Sequence, residues 1–345
     1  MLAALIQEAK DFLGRRDASA SSGGVVVLGD LAVDRFIFGR VERISPEAPV
    51  PVLNVESVSD RLGCAANVAA NLAALAGPLA GPVEIFGVAG RDAGGELLDS
   101  LLRGLGDRVR VRIERDEKRP TTLKTRYLAS HHHQLLRVDE ESTRPLATET
   151  AARLESALAA ALRSARVLVV QDYAKGVLRP DWVARLYREA REAGVRVVVD
   201  PTPRSPAELY RGADLITPNL EEAEALAGRR IKDRASDAEV EALARELKER
   251  LGLREIILTR SARGLTYIPE GGPALHLPTL ARAVYDVTGA GDTVVSLLAA
   301  ALAAGLRVPV ACVLATAAAA VVVAKVGTAT ASNDEIFAAL EEWSA

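Results

Sequence analysis

The stretch from Arg166 to Pro218 contains three short apolar runs: RVLVVQD (Arg166–Asp172), VRVVVD (Val195–Asp200) and ADLITP (Ala213–Pro218). Between the first two runs, Asp181–Ala193 has apolar residues with a 3.6-residue period, which is typical of a helix lying on a core. Continuously apolar strands are typical of a sheet buried on both faces, and intervening helices favour parallel pairing. The stretch therefore predicts a parallel sheet covered by helices.

The same alternation extends in both directions along the chain. Further apolar, β-branched runs lie at Val25–Asp30, Val83–Val88 and Glu255–Arg260, and further helical periods lie at Ala147–Ser164 and Asp237–Leu251. This order predicts an α/β fold: a doubly wound, mostly parallel sheet with helices on both faces.

Two stretches, 35–57 and 121–139, alternate apolar with polar residues and contain no helical period. Such alternation predicts antiparallel strands with one solvated face. We expect them to form a small β lid, and the apolar faces of two lids to pair in a homodimer. Residues 1–24 are expected to form a short helix and a Ser/Gly linker ahead of one catalytic domain at 25–345.

The composition argues against several classes of protein. Of 345 residues, 43 are Lys or Arg and 46 are Asp or Glu, so the formal net charge is −3 and a nucleic-acid partner is disfavoured. Two cysteines do not make a disulfide framework, and the N-terminus lacks the features of a secretory signal, which favours the cytoplasm. The most apolar stretch, Pro309–Val326, is interrupted by Thr316 and Lys325, so we expect a buried helix and no membrane partner.

The segment DVTGAGDT, Asp286–Thr293, is followed at once by the helical run Val294–Ala304. Small residues ahead of a helix leave its first amides unpaired, and these amides favour an anion such as a transferring phosphoryl group. Asp292 beside them is placed to take a proton from an attacking hydroxyl. The alternative is that Asp292 only caps the helix. The sequence has neither a G-x-x-x-x-G-K-[ST] phosphate loop nor a G-x-G-x-x-G motif after its first strand.

The pattern D-x-T-G-A-G-D resembles the second signature of the ribokinase (PfkB) carbohydrate-kinase family, and it lies late in the chain as it does there. The resemblance implies a ribokinase-like fold that uses ATP and Mg²⁺. It also implies that Asp292 is the catalytic base and that Gly289, Ala290 and Gly291 form the anion hole.

The segment LGCAANVAANLAALA, 62–76, resembles the first signature of the same family. The resemblance implies a lid hinge at Gly63 and a sugar contact by Asn67. Cys64 stands where the family usually has a second glycine, so the hinge is expected to be stiffer.

The tetrapeptide NLEE resembles the N-x-x-E motif of the family, which implies that Asn219 and Glu222 bind Mg²⁺ and phosphates, in part through water. On spacing alone, the pair is equally a capping box at a helix start. The segment TRSARG resembles a T-x-G-x-x-G segment near the nucleotide phosphates, with Ser261 in place of the middle glycine. The ATP contacts implied in this way are Asn219, Glu222, Thr259, Ser261, Gly264 and Gly291.

Two smaller features concern metal ions. Asp286 and Thr288 match loops in which relatives bind potassium, so a K⁺ ion is expected there. The run His131–His133 does not predict a metal site, because neighbouring residues on a strand point to opposite faces. We expect that run to be a surface turn.

Several segments are similar to the heptose-7-phosphate kinases within this family: residues 30–51, containing RISPEAPVP, PTTLKTR at 120–126, QLLRVD at 134–139 and DYAKG at 172–176. This similarity implies ATP-dependent phosphorylation of the anomeric hydroxyl of D-glycero-β-D-manno-heptose 7-phosphate to the 1,7-bisphosphate, on the route to ADP-heptose and lipopolysaccharide. Because the sequence ends at Ala345, we expect a kinase without the nucleotidyltransferase domain of bifunctional relatives.

Two alternatives stay open. One is a ribokinase-type kinase for another sugar phosphate or a nucleoside, and the other is a non-catalytic relative that binds sugar phosphate.

A phosphorylated sugar needs cations and short polar groups, and the lid stretches and their surroundings supply both. The candidate substrate-binding residues are Asp34, Gly63, Asn67, Arg126, Gln134, Arg137, Asp139, Asp172 and Lys175. Lys124 is a further cation in this region. On a strand, Arg137 and Asp139 would share one face and Gln134 would lie on the other. Taken singly and without the motifs, each of these residues is better explained as a solvated surface charge.

Overall fold

The computed structural model describes residues 1–15, 23–130, 133–231, 235–281, 284–325 and 327–344. The strands are β1 Gly24–Gly29, β2 Leu31–Ile44, β3 Pro51–Cys64, β4 Val83–Ala89, β5 Val109–Arg115, β6 Thr122–Leu128, β7 Gln134–Glu140, β8 Ala165–Gln171, β9 Arg196–Asp200, β10 Leu215–Ile216, β11 Glu255–Thr259, β12 Leu265–Ile268 and β13 Leu275–Leu277. The helices are α1 Leu2–Leu13, α2 Ala65–Ala74, α3 Ala93–Arg103, α4 Thr148–Leu162, α5 Pro180–Glu192, α6 Leu220–Ala227, α7 Asp237–Leu251, α8 Ala290–Ala303, α9 Val308–Val323 and α10 Asn333–Ser344.

The main sheet has the order β13-β12-β11-β10-β9-β8-β1-β4-β5 within the described part of the chain. Pairing is parallel from β5 to β11, and β12 and β13 add an antiparallel edge. One apolar layer contains side chains of α1, α2, α3, α8, α9 and α10, and the other contains those of α4 to α7. The predicted doubly wound α/β fold is confirmed.

The chain leaves β1 first toward β4 and later returns to β8 on the other side of β1. In open parallel sheets, ligands bind outside the carboxyl ends of the strands at such a reversal. Asp30, Gln171 and Asp200 stand at or directly after the ends of β1, β8 and β9, so polar side chains collect at this edge.

The second sheet has the order β3-β2-β6-β7 and forms the lid. The pairs β2–β3 and β6–β7 are antiparallel, but the central pair β2–β6 is parallel, with Ala32 opposite Thr122. The prediction of an antiparallel lid is therefore wrong for its centre. The reason is the connection: the chain passes through α2, β4, α3 and β5 before β6, and it enters the lid again from the same end.

Two elements had no counterpart in the predicted strands. Strand β5 is an edge strand whose Arg110 and Arg112 face solvent near Glu84 of β4, so its apolar content is low. The hairpin of β12 and β13 is too short to show a clear period.

The apolar stretch that was expected to be a buried helix forms α9, and most residues of α9 are buried. In the described ranges, no helix has the length and apolar character needed to cross a membrane.

Candidate active site

A cleft of about 390 Å³ lies between the carboxyl edge of the main sheet and the inner face of the lid. Its floor includes Gly289 and Asp292 at the start of α8, and its lid side includes strand residues of β2, β6 and β7. A second cavity of about 360 Å³ lies near the amino ends of β9 and β11, remote from this motif. The cleft next to Asp292 is therefore the candidate active site.

Asp292 lies in the first turn of α8 and is 4% exposed. Its Oδ2 accepts a hydrogen bond of 2.7 Å from Asn67 Nδ2. Its Oδ1 accepts from Gln171 Nε2 at 2.9 Å and from the Tyr173 hydroxyl at 3.0 Å. The carboxylate is thus held in one orientation by donors from three other elements, which a simple helix cap does not require.

Burial raises the pKa of Asp292 to about 7, and the negative charge of Asp200 adds to the rise. The hydrogen bonds from Asn67 and Tyr173 and the charge of Lys124 act in the opposite direction. A carboxyl group whose pKa lies near neutrality is well matched to general-base catalysis, because it is ionised at working pH and still basic.

The backbone at the start of α8 leaves room for a ligand. Gly289 is the N-cap with φ +81°, and a Cβ there would lie 2.7 Å from Asn67 Nδ2. A Cβ on Gly291 would meet no atom within 4 Å. A ligand therefore has room beside Gly291, as an anion hole requires, whereas the Ala290 amide donates to the Val287 backbone oxygen at 3.2 Å in this conformation.

The hinge segment places a second layer of polar groups behind Asp292. Asn67 follows the start of α2, and Asn71 Nδ2 donates to its backbone oxygen at 2.9 Å. Thr293 Oγ1 in turn donates to Asn71 Oδ1 at 2.9 Å. Asn67, predicted to contact the sugar, has its amide nitrogen directed at Asp292, so in this conformation it orients the carboxylate.

The predicted hinge is crowded. A Cβ on Gly63 would lie 2.5 Å from Asp34 Oδ2, so only glycine fits there without a shift. Cys64 adopts φ +55°, a conformation that side chains other than glycine rarely take, and it is the N-cap of α2. Its thiol faces the cleft, and Lys124 Nζ lies 3.0 Å from the sulfur.

Charged residues on the inner face of the lid form ion pairs. Arg126 Nη1 lies 2.6 Å from Asp34 Oδ1 in a buried pair, and Arg137 Nη2 lies 2.7 Å from Asp139 Oδ2 in a more exposed one. From the main domain, Lys175 Nζ pairs with Glu141 Oε1 at 2.6 Å. The structure therefore brings these predicted residues together: Asp34, Arg126, Arg137, Asp139 and Lys175.

Four predicted substrate residues do not line this cleft: Gly63, Asn67, Gln134 and Asp172. Gln134 is exposed at the start of β7, and a register shift in the β6–β7 pairing separates it from Arg137, so simple alternation does not fix the face on which it lies. Asp172 accepts from the Ala174 amide at 2.8 Å and from the Tyr210 hydroxyl at 2.7 Å. The Asp172 carboxylate is therefore turned away and fixes the loop that carries Tyr173.

On the nucleotide side, Asn219 and Glu222 form the capping box of α6: Asn219 Oδ1 accepts from the Glu222 amide at 2.9 Å, and Glu222 Oε2 accepts from the Asn219 amide at 2.8 Å. Glu222 also lines the cleft. Burial, and then the charge of Asp200, raise its pKa to about 7. The pair thus caps a helix while one glutamate oxygen stays available.

The remaining predicted residues lie at the same edge of the sheet. Thr259 ends β11 and bridges to Asn219, and Ser261 and Gly264 follow with φ +48° and +77°. Asp286 accepts from the Thr288 amide at 2.9 Å and from the Gly327 amide at 2.8 Å, which ties two loops beside the start of α8. These geometries are compatible with nucleotide and cation loops.

The residues present fit a hydrated Mg²⁺ ion. Asp200 and Glu222 are carboxylates close enough to raise each other's cost of ionisation, and burial raises the pKa of Asp200 to about 6. A cation between them would offset that excess negative charge, and oxygen donors suit Mg²⁺. No group of three or more metal-ligating His, Cys, Asp or Glu side chains occurs in the described ranges. His131 and His132 lie outside those ranges, and only His133 is described.

Sequence reasoning missed Gln171, Tyr173 and Asp200, which all contact Asp292 or its neighbours. Gln171 Nε2 donates to Asp200 Oδ2 at 2.7 Å and to Asp292 Oδ1 at 2.9 Å, so it links the two carboxylates. Their positions in the sequence could have indicated this role. Each stands at or just beyond the carboxyl end of β8 or β9, where ligands bind in a parallel sheet.

Curated proteins of similar sequence match most of this chain. The Bifunctional protein HldE of Pseudomonas aeruginosa strain PAO1 is 46% identical over 318 residues, covering 92% of this chain and 63% of that protein. HldE of Azotobacter vinelandii strain DJ is also 46% identical, with the same coverage. The chain therefore spans less than two thirds of the length of these curated relatives.

Solved structures share the fold. Arabidopsis thaliana ribokinase complexed with ribose and ATP aligns with a TM-score of 0.69 at 19% identity, covering 93% of this chain and 99% of that one. Phosphofructokinase-2 from Escherichia coli in complex with fructose-6-phosphate aligns with a TM-score of 0.74 at 19% identity, covering 94% and 100%. The pfkB family of carbohydrate kinases matches residues 23–335, and this chain belongs to that family.

Proposed function

We propose that this protein transfers the γ-phosphoryl group of ATP to the anomeric hydroxyl of D-glycero-β-D-manno-heptose 7-phosphate. The observation that carries the reaction class is Asp292, buried beside the first amides of α8 and facing a cleft lined with cations. Family membership supports a carbohydrate kinase, and the segments RISPEAPVP and DYAKG, together with the HldE relatives, support the heptose.

In the proposed reaction, Asp292 takes the proton of the acceptor hydroxyl as its oxygen attacks the γ-phosphorus. Asn67, Gln171 and Tyr173 keep the carboxylate aimed into the cleft. The amides of Gly289 and Gly291 stabilise the charge on the phosphoryl oxygens, and the Ala290 amide joins them when it leaves the Val287 oxygen. Mg²⁺ near Asp200 and Glu222 would neutralise the phosphates of ATP.

The sugar's own phosphate is proposed to bind the lid arginines. Arg137 is the more accessible of the two, with 43% of its side chain exposed against 13% for Arg126. Its guanidinium can exchange Asp139 for a phosphate, because a surface ion pair is worth only about 0–1 kcal/mol. Arg126 is bound to the buried Asp34, so it is expected to hold Asp34 in place for the sugar hydroxyls.

Two further features of the proposal concern assembly and ions. The outer face of the lid exposes Ile44, Val55, Val58 and Leu136, each more than half exposed, and a second lid would cover them. Gel filtration with light scattering tests this homodimer, and a monomer at micromolar concentration would exclude it. A K⁺ ion beside the Asp286 loop is tested by replacing K⁺ with choline in the assay, which should lower turnover.

The substrate assignment is tested by ADP release with a panel of acceptors. We expect turnover with heptose 7-phosphate and little with ribose, fructose 6-phosphate or adenosine. If only one of the latter three is turned over, that acceptor is the substrate and the assignment of the heptose is wrong. A protein that binds ATP and a sugar phosphate but never forms ADP would indicate a non-catalytic relative.

A further inference from the structure

Lys124 on β6 is a buried cation that forms no direct ion pair with a carboxylate among the described residues. The residue is 9% exposed, and its Nζ lies 3.0 Å from Cys64 Sγ and 4.8 Å from the centroid of the Tyr173 ring. Within the parts of the chain that the structure describes, no carboxylate forms an ion pair with it. The Cys64 thiol supplies no countercharge, because burial raises its pKa to about 12.

The carboxylates beside Lys124 are already engaged. In the lid sheet, Lys124 lies in register between Asp34 of β2 and Asp139 of β7. Asp34 pairs with Arg126, and Asp139 pairs with Arg137. Lys124 therefore has no direct partner in this row, although its charge acts to lower the pKa values of Asp139 and Asp292.

A buried ammonium group that lines a cleft without a direct ion pair can contact an anion that arrives with the substrates. Tyr173 shows where that anion would lie. The ring of Tyr173 lies under the ammonium group, and its hydroxyl donates to Asp292 Oδ1 at 3.0 Å. Lys124 and Asp292 line the same cleft, so the ammonium group is next to the base.

Two anions enter this cleft in the proposed reaction: the phosphate of the sugar and the phosphoryl group in transfer. Lys124 lies close to the hinge at Cys64, whereas Arg126 and Arg137 face each other across β6 and β7 two residues farther from it. We propose, on the basis of the proposed kinase function, that Lys124 is a catalytic residue that contacts the transferring phosphoryl group.

The proposed reaction needs no covalent or protonation change at Lys124. The bond from the acceptor oxygen to the γ-phosphorus forms, the bond from that phosphorus to ADP breaks, and the acceptor proton moves to Asp292. Lys124 keeps its proton throughout. Its charge stabilises the phosphoryl oxygens in the transition state, where negative charge is not matched by the amides of α8 alone.

The test compares Lys124→Met and Lys124→Arg with the unchanged protein. Calorimetry measures the Kd for the sugar phosphate without ATP, and steady-state assays measure kcat. For Lys124→Met we expect a Kd within about threefold of the unchanged protein and a kcat lower by about 100-fold or more, as for loss of one preorganised donor. Lys124→Arg keeps the charge, so part of the rate should return.

Folding is checked by thermal melting. Methionine matches the length of lysine, and a cooperative melt in each variant shows that the fold is kept. If Lys124→Met does not fold, the test uses Lys124→Arg, for which we expect a reduced kcat and an unchanged Kd for the sugar phosphate. Arg137→Met is the comparison, because loss of a sugar-phosphate contact should raise Kd and spare kcat.

Two results would overturn the proposal. A Kd weakened about tenfold or more with kcat preserved would assign Lys124 to the phosphate of the sugar. Unchanged Kd and kcat would remove any role. The unchanged protein decides the substrate independently: inactivity on heptose 7-phosphate would refute the proposed function, and the Lys124 comparison then uses the sugar phosphate that the protein does turn over.

Discussion

Replacing Tyr173 by phenylalanine removes one hydrogen bond to Asp292, together with an interaction of the same hydroxyl with Gln171. The lost hydroxyl donates to Asp292 Oδ1 at 3.0 Å, while the ring that contacts Lys124 is kept. This hydrogen bond favours the ionised carboxylate and lowers its pKa. The pKa of Asp292, about 7 in the unchanged protein, should therefore rise further in Tyr173→Phe.

The size of the change follows from the strength of the bond. A hydrogen bond to a charged group is worth about 1.5–3 kcal/mol, and 1.36 kcal/mol corresponds to one pH unit. Asn67 and Gln171 still donate to Asp292, so the lower end applies and the shift is about one pH unit. At pH 6 the ionised fraction, and with it kcat/KM, should fall about tenfold, whereas at pH 9 it should fall by about a tenth.

The assay is kcat/KM for the sugar phosphate at saturating ATP, measured from pH 5 to 9.5. Tyr187→Phe is a matched control, because the Tyr187 hydroxyl is buried on α5 and has no hydrogen-bond partner among the described residues. Its pH profile should coincide with that of the unchanged protein. If the acidic limb of Tyr173→Phe also coincided with it, the hydroxyl would not act on the base, and the reasoning from this geometry would be wrong.

Three further predictions concern the same site. Gly289→Ala should lower the melting temperature, because its φ is +81° and the new Cβ would lie 2.7 Å from Asn67 Nδ2, whereas Gly291→Ala, with open space around it, should not. Asp292→Asn should lower kcat by about 100- to 10,000-fold and keep the fold. The pKa of Asp292 is raised from 3.8 to about 7 on folding, so stability falls as pH rises through that range, and Asp292→Asn should lessen the fall. Arg137→Ala should raise the KM for the sugar phosphate much more than that for ATP.

Each of these has a result that would contradict it. Equal melting temperatures for the two alanine variants would mean that the start of α8 relaxes freely. Intact turnover in Asp292→Asn would remove the general base and the proposed mechanism with it. Equal changes in both KM values for Arg137→Ala would take this residue out of sugar-phosphate binding.

The local sequence determined the order of strands and helices and the chemistry of one motif. Continuous apolar runs such as Arg166–Asp172 have only one stable environment, a sheet covered on both faces, so the α/β fold followed from the pattern. The glycines before α8 and Asp292 within it are adjacent in sequence, so their proximity needed no tertiary information.

Only the tertiary structure decided which groups act on Asp292. Asn67 and Gln171 lie 225 and 121 residues away along the chain, and no local period predicts that they meet one carboxylate. The raised pKa of Asp292 likewise depends on burial and on Asp200, which are properties of the assembled cleft. The parallel pairing of β2 with β6 and the turn of Asp172 away from the cleft toward Tyr210 arise in the same way, because register and side-chain direction are fixed by contacts between distant segments.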